Sequence, residues 1–336
     1  MNLTLLIPTK NRSEVLKKTL TFYLKNSLSF NVIIADSSNK LHFKKTKNFI
    51  SEKSKISQVK LKGRNIEVLK QCEKLVKTKY VVYTGDDDFL CVENLYFFLN
   101  YLDKNKKYVG IIGLTLLAKV IKEKILFTNE YKIKEILSNK SIDRVKSWFK
   151  FRSVLMFSIC RREIFFKSLR LVPSRKNRNI APHQNITSSS LPNMAMAYYG
   201  KFKKVNMPYL VRVIGHPRVD ASKKIDLKSI NYFFKCLIRL FGSDLNTKSK
   251  NLFYEKINNI YIKNENYRKG NVSKFRLLKI FVSFILSLFL LDKVIKKIYN
   301  KTFVTKLSKE YIFNLKNRNL LSFRNILNYL STKHEH

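Results

Sequence analysis

The chain has 336 residues, with 67 Lys and Arg against 23 Asp and Glu and a formal net charge of +44. A hydrophobic fraction of 45% and an aromatic fraction of 13% exclude a disordered polycation and leave ample material for a core. The charge itself keeps three readings open: a nucleic-acid partner, an anionic membrane surface, or a lysine-heavy composition dispersed along the whole chain.

Leu3-Thr-Leu-Leu-Ile7 predicts a buried first strand closed by Pro8, which cannot donate to a ladder. The stretch Met1 to Pro8 has no basic leader and no small-residue cleavage site, so a strand is expected rather than a signal peptide. Ser13 and Glu14 suit the start of a helix whose apolar stripe is Leu16, Leu20, Tyr23 and Leu24. Phe30 to Ala35 reads as a second strand ending at Asp36-Ser37-Ser38. Strand, helix and strand in this order predict a βαβ unit and a parallel sheet.

A helix over Phe43–Glu52, a short strand near Gln58–Leu61 and a helix over Arg64–Lys77 follow. The apolar run Tyr80–Thr84 then climbs to Gly85 and delivers Asp86, Asp87 and Asp88. Three adjacent carboxylates repel one another and lose hydration when packed at a sheet edge. A hard divalent cation removes that penalty; a solvated acidic turn is the plain alternative. Alternation along an extended chain would turn Asp86 and Asp88 to one side and Asp87 to the other. Three strand ends, at Pro8-Thr9, Asp36 and Asp86–Asp88, are expected along one edge, where open α/β sheets bind ligands.

Further along, Val92–Leu102 predicts a helix, Val109–Leu117 a strand or strand pair, and Phe151–Cys160 another strand with a helix opening at Arg161-Arg162-Glu163. Pro173 to Pro192 is a polar loop holding His183; Pro192–Tyr199 reads as a helix and Phe202–Val213 as a strand pair before Gly215-His216-Pro217. From about Asp220 the pattern is helical. Residues 277–291 form an apolar segment flanked by Lys274, Arg276, Lys293, Lys296 and Lys297. It falls short of the roughly 18 residues a spanning helix needs, and it is either core or membrane-interfacial. Cys72, Cys91, Cys160 and Cys236 have no paired spacing and are expected as buried thiols of a reducing, cytoplasmic compartment.

Ile7-Pro-Thr-Lys-Asn-Arg12, Ile33-Ile-Ala-Asp-Ser-Ser38 and Tyr83-Thr-Gly-Asp-Asp-Asp88, in this order, resemble the strand-end motifs of inverting family-two glycosyltransferases of the type-A (GT-A) fold, in the nucleotide-diphospho-sugar transferase superfamily. The resemblance covers roughly residues 1 to 215. It implies an α/β, Rossmann-like, mostly parallel sheet with helices on both faces over residues 1–219; beyond it, the helical pattern itself predicts a basic helical extension over 220–336. The resemblance also implies a nucleotide-diphosphate sugar donor and an Mn²⁺ or Mg²⁺ ion; with the basic, apolar tail it leads to a cell-surface glycan or lipid-linked acceptor and a peripheral place on the inner membrane face. On this reading Pro8, Thr9, Arg12, Asp36, Asp86, Asp87 and Arg212 belong to the nucleotide-sugar site, with Arg218 beside them, and Asp88 and His216 to the metal. Members of the family usually place an acid ahead of the helix that ends near Gly-Lys. The stretch His183–Asn193 before Gly200-Lys201 has none. His183 is the first candidate for general base and Asp220 the second, against the plain alternative that both are surface residues. A nucleotidyltransferase, or a non-catalytic protein binding a membrane or nucleic acid, remains as an alternative. No recognisable nucleic-acid module is present, and no glycine-rich phosphate loop follows the first strand.

Overall fold

The computed structural model describes residues 1–26, 28–63, 66–121, 124–131, 133–151, 153–172, 190–214, 227–241, 251, 255 and 321–331. The chain divides into two compact units, Met1–Asn246 with Ser322–His336, and Thr247–Leu321. The first unit carries every element below.

Parallel strands β1 (Leu3–Thr9), β2 (Asn31–Asp36), β3 (Ile56–Lys60) and β4 (Tyr80–Tyr83) form half of a nine-stranded sheet, in the order β3-β2-β1-β4. Leu3, Leu5, Leu6, Val81 and Val82 are fully buried. Each such side chain contributes on the order of 2 kcal/mol of apolar burial. The register pairs Thr9 with Asp36 and Leu6 with Tyr83, so β1, β2 and β4 end together at one edge. The expected βαβ unit is present, with α1 (Ser13–Lys25) as its crossover, followed by α2 (Lys40–Ile50) and α3 (Ile66–Gln71).

The second half is mixed. Beyond β4 the order continues β8 (Ile159–Arg161), β6 (Tyr108–Ile121), β9 (Lys201–Ile214) and β5 (Asp88–Leu90), with β7 (Lys124–Glu130) also paired to β6. β8 runs antiparallel to β4 and β6, β9 parallel to β6, and β5 antiparallel to β9. Three expectations are corrected here. Phe202–Val213 is one long strand, not a pair, because β6 supplies a 14-residue partner along its length. The run Phe151–Cys160 is the end of α5 (Ser141–Phe151), a 3₁₀ turn at Leu155–Phe157 and only the start of β8. Asp88 opens a strand of its own.

Helices α4 (Leu95–Lys104), α6 (Arg162–Leu169), α7 (Leu191–Tyr199), α8 (Leu227–Phe241) and α9 (Leu321–Ser331) complete the described unit. α6 packs on α7, which packs on α5. The four cysteines are buried and unpaired with one another. Among the described residues no helix is long and apolar enough to cross a membrane. Residues 277–291 lie outside the described residues, as do His183, His216, Arg218 and Asp220.

Candidate functional site

β1 delivers Thr9 to the edge, and the chain then turns sharply through Asn11, whose φ of 55° lies in the left-handed region that Asn tolerates better than most residues. Ser38 Oγ accepts a hydrogen bond from Asn11 N (2.8 Å), and Asn11 Oδ1 accepts one from Asn39 N (2.8 Å). These bonds tie the loop after β1 to the loop after β2. Asp36 is fully buried at the root of that second loop. Its Oδ1 accepts from Ser38 N at 2.7 Å and its Oδ2 from Gln58 Nε2 at 2.6 Å.

Arg12 reaches from the start of α1 across to the aspartates. Its Nη1 pairs with Asp86 Oδ1, and its Nη2 with Asp87 Oδ2 at 2.8 Å. Thr9 Oγ1 donates to Asp86 Oδ2 at 2.8 Å. On the other side, Arg212 from β9 donates through Nε to Asp88 Oδ2 at 3.3 Å, while Val213 N donates to Asp88 Oδ1 at 3.2 Å and Gly85 N to Oδ2 at 3.1 Å. The Arg212 guanidinium lies 4.1 Å from the Phe157 ring centroid, and Phe157 stacks on Tyr83 at 5.1 Å. A Cβ on Gly85 would come within 2.9 Å of Asp87 Oδ1 and 3.1 Å of Asp88 Oδ2, so a larger residue there would push both carboxylates out of place.

Burial governs the electrostatics. Asp86 is pushed up to about 6, chiefly by desolvation, with Asp87 and Asp88 adding and Arg12 and Thr9 opposing. Asp88 is raised in the same sense, chiefly by desolvation, with Arg212 opposing. Burial lowers the Arg12 guanidinium, but the three aspartates outweigh it and hold it above its ordinary value.

Asp86 and Asp87 sit in a turn, not in an extended strand, so simple alternation does not describe the cluster. Asp86 and Asp88 are buried, yet Asp87 shares Arg12 with Asp86 and does not turn fully away. Three carboxylates face two guanidinium groups, which leaves the cluster one negative charge in excess. An anionic diphosphate would be repelled by that excess, and a divalent cation reverses its sign. The donor set is all oxygen, and Asp88 Oδ1 has one protein donor and a second lone pair to spare. Among the described residues no three His, Cys, Asp or Glu side chains form a complete metal cluster.

The sequence left Phe157, Gln58, Thr19 and Tyr23 unassigned. Phe157 was hidden in a run read as strand. Thr19 had a signal: it is a polar residue set among Leu16, Leu20 and Tyr23 on the buried face of α1, and it is fully buried.

Among solved structures, the chain is similar to S. aureus TarS 1–349 in complex with UDP-GlcNAc, with a TM-score of 0.53 at 13% identity over 82% of this chain and 77% of that one. This protein has the type-A glycosyltransferase fold. The complex of TarS 1–349 with UDP gives a TM-score of 0.50 at 13% identity with the same coverage. Against the longer TarS structure the TM-score is 0.50 at 12% identity, and this chain spans only 46% of that chain's length. No protein-family model matches the sequence, and no curated protein does. Asp88 and Arg212 are register partners in the antiparallel β5–β9 pair, which is how they meet across 124 residues of sequence.

Proposed function

We propose that the protein is a glycosyltransferase that moves a sugar from a nucleotide-diphosphate donor to a cell-surface glycan or glycolipid, with inversion and with Mn²⁺ or Mg²⁺. The observation that carries this reading is the convergence of Thr9, Arg12, Asp86, Asp87, Asp88 and Arg212 at the carboxyl-terminal edge of β1, β2 and β4 in a type-A fold. The base would lie toward the loop that Asp36 holds, beyond Pro8 and Thr9, with the ribose and sugar hydroxyls toward Asp86. Asp88, with His216, would hold the cation. When bound, the cation neutralises charge growing on the diphosphate as the bond to the sugar breaks. Arg212, held over the Phe157 ring, would offer its remaining N–H groups to phosphate oxygens. In the transfer, the anomeric carbon loses its bond to the diphosphate oxygen and gains one to the acceptor oxygen. The acceptor proton passes to a general base, for which His183 is the first choice and Asp220 the second, and the nucleoside diphosphate departs.

Because the TarS structures hold UDP and UDP-GlcNAc, uridine is the first base to test. Calorimetry with UDP, GDP and CMP, each with and without Mn²⁺, should give metal-dependent binding of one of them. Binding of none, in either buffer, overturns the reading. The acceptor is proposed to be membrane-borne, because the apolar segment 277–291 carries lysines on both flanks. Deleting residues 274–297 should release the protein from anionic vesicles and spare nucleotide binding. Unchanged vesicle binding would assign that segment to the interior.

A further inference from the structure

The aspartate loop is held from behind by groups that play no part in the proposed chemistry. Thr19 and Tyr23 stand one turn apart on α1, and both side chains are fully buried. Thr19 Oγ1 donates to the carbonyl of Asp86 at 2.8 Å. The Tyr23 hydroxyl donates to the carbonyl of Asp88 at 3.3 Å and accepts from Leu90 N at 3.1 Å. Three backbone groups of the loop therefore find their partners on one helix, whereas an ordinary strand end would satisfy them along the sheet. A buried backbone group deprived of its partner costs more than the bond was worth, so these contacts select one position for the loop.

The same helix is held by the last one. The Tyr329 hydroxyl of α9 donates to Lys18 O at 2.8 Å, across 311 residues of sequence. The Tyr329 ring meets Phe22 edge-on at 5.3 Å and lies 6.1 Å from Phe89, the residue that follows Asp88. Phe22 and Phe89 meet edge-on at 5.3 Å. Phe323 and Ile326 of α9 are buried as well. Edge-to-face aromatic pairs are directional, so this triad fixes the spacing of α1, β5 and α9 together.

We infer that Thr19 and Tyr23 are positioning residues for the Asp86–Asp88 loop, and that α9 acts with them as a buttress that keeps α1 seated against it. The inference rests on the reading that this loop receives the cation and diphosphate. It assigns the end of the chain a part in the nucleotide site, although no residue of α9 need touch the ligand. A purely structural contact would change stability alone. A positioning contact changes the metal-linked part of nucleotide affinity, because that part depends on where Asp88 sits.

The test uses the full chain with Tyr23→Phe, Thr19→Val, Thr19→Ser and Tyr329→Ala. Two readouts are taken, UDP affinity with and without Mn²⁺, and amide exchange of the free protein across Gly85–Leu90. Tyr23→Phe and Thr19→Val should weaken UDP binding about tenfold in Mn²⁺ and leave affinity without metal unchanged. Thr19→Ser, which keeps the hydroxyl, should restore wild-type affinity, and Tyr329→Ala should show the same pattern to a smaller degree. Exchange at Leu90 should speed about tenfold in Tyr23→Phe. Wild-type affinity in Tyr23→Phe, or equal losses with and without Mn²⁺, overturns the inference. If the wild type binds no nucleotide, the proposed function fails, and exchange alone decides the buttress: unchanged protection across Gly85–Leu90 in all four variants refutes it.

Discussion

Asp88 and Arg212 form the most buried ion pair of the site, with side-chain exposures of 2% and 21%. Removing the cation from such a pair strands a charge in a desolvated position, which is costlier than never having had the pair. Arg212→Leu should therefore destabilise the protein by about 3 kcal/mol, read as a shift in the urea midpoint, and Asp88→Asn added to it should return most of the loss. Additive losses in the double variant would show that the two residues do not depend on each other. The aspartates were legible at this scale because acid is scarce in the chain and three in a row stand out. Arg12 was legible only as a neighbour. Its pairing with Asp86 and Asp87 depends on the left-handed turn at Asn11 and on a contact 74 residues away, and neither leaves a periodic mark.

α7 ends without any acid to balance the buried guanidinium beneath it. Arg144 is 8% exposed and donates to Ala197 O, Tyr198 O, Ser138 O and Asn139 O, so it caps the last turn of α7 and closes the approach to α5. Burial lowers its pKa, with the Tyr198 charge acting the other way. Arg144→Ala leaves these carbonyls without a donor and should cost about 3 kcal/mol in denaturant unfolding. A change below about 0.5 kcal/mol would mean that water replaces it fully. The parallel half of the sheet could be read in order because its strands are continuous apolar runs between amphipathic helices. The mixed half could not. β5 has three residues and begins on a charged one, and the Leu155–Phe157 turn carries the composition of a strand. Phe157 is placed under Arg212 by tertiary contact with Tyr83, which local pattern does not encode.

Across the whole molecule, 67 basic residues share 23 acids, and the surplus shapes both stability and internal bonding. Several arginines find backbone carbonyls in place of carboxylates: Arg144, Arg161 on Tyr108 and Leu102, and Arg162 on Val76 and Glu73. The rest of the surplus repels itself. Raising NaCl from roughly 0.05 M to roughly 0.5 M shortens the Debye length from above 10 Å to below 5 Å, so the melting temperature should rise by several degrees. A fall would mean that specific surface ion pairs outweigh the general repulsion. The composition announced this imbalance plainly, but it is silent on partners, because a dispersed charge has no geometry until the fold places it. The edge at β1 and β4 is one such placement, where two arginines and three aspartates leave an excess of one negative charge inside a strongly basic protein. The most direct measurement is the affinity of UDP for the wild type and for Asp88→Asn, each with and without Mn²⁺. The variant should lose at least tenfold in affinity, and only in the Mn²⁺ buffer, whereas equal affinities in both proteins would place the cation and the diphosphate elsewhere.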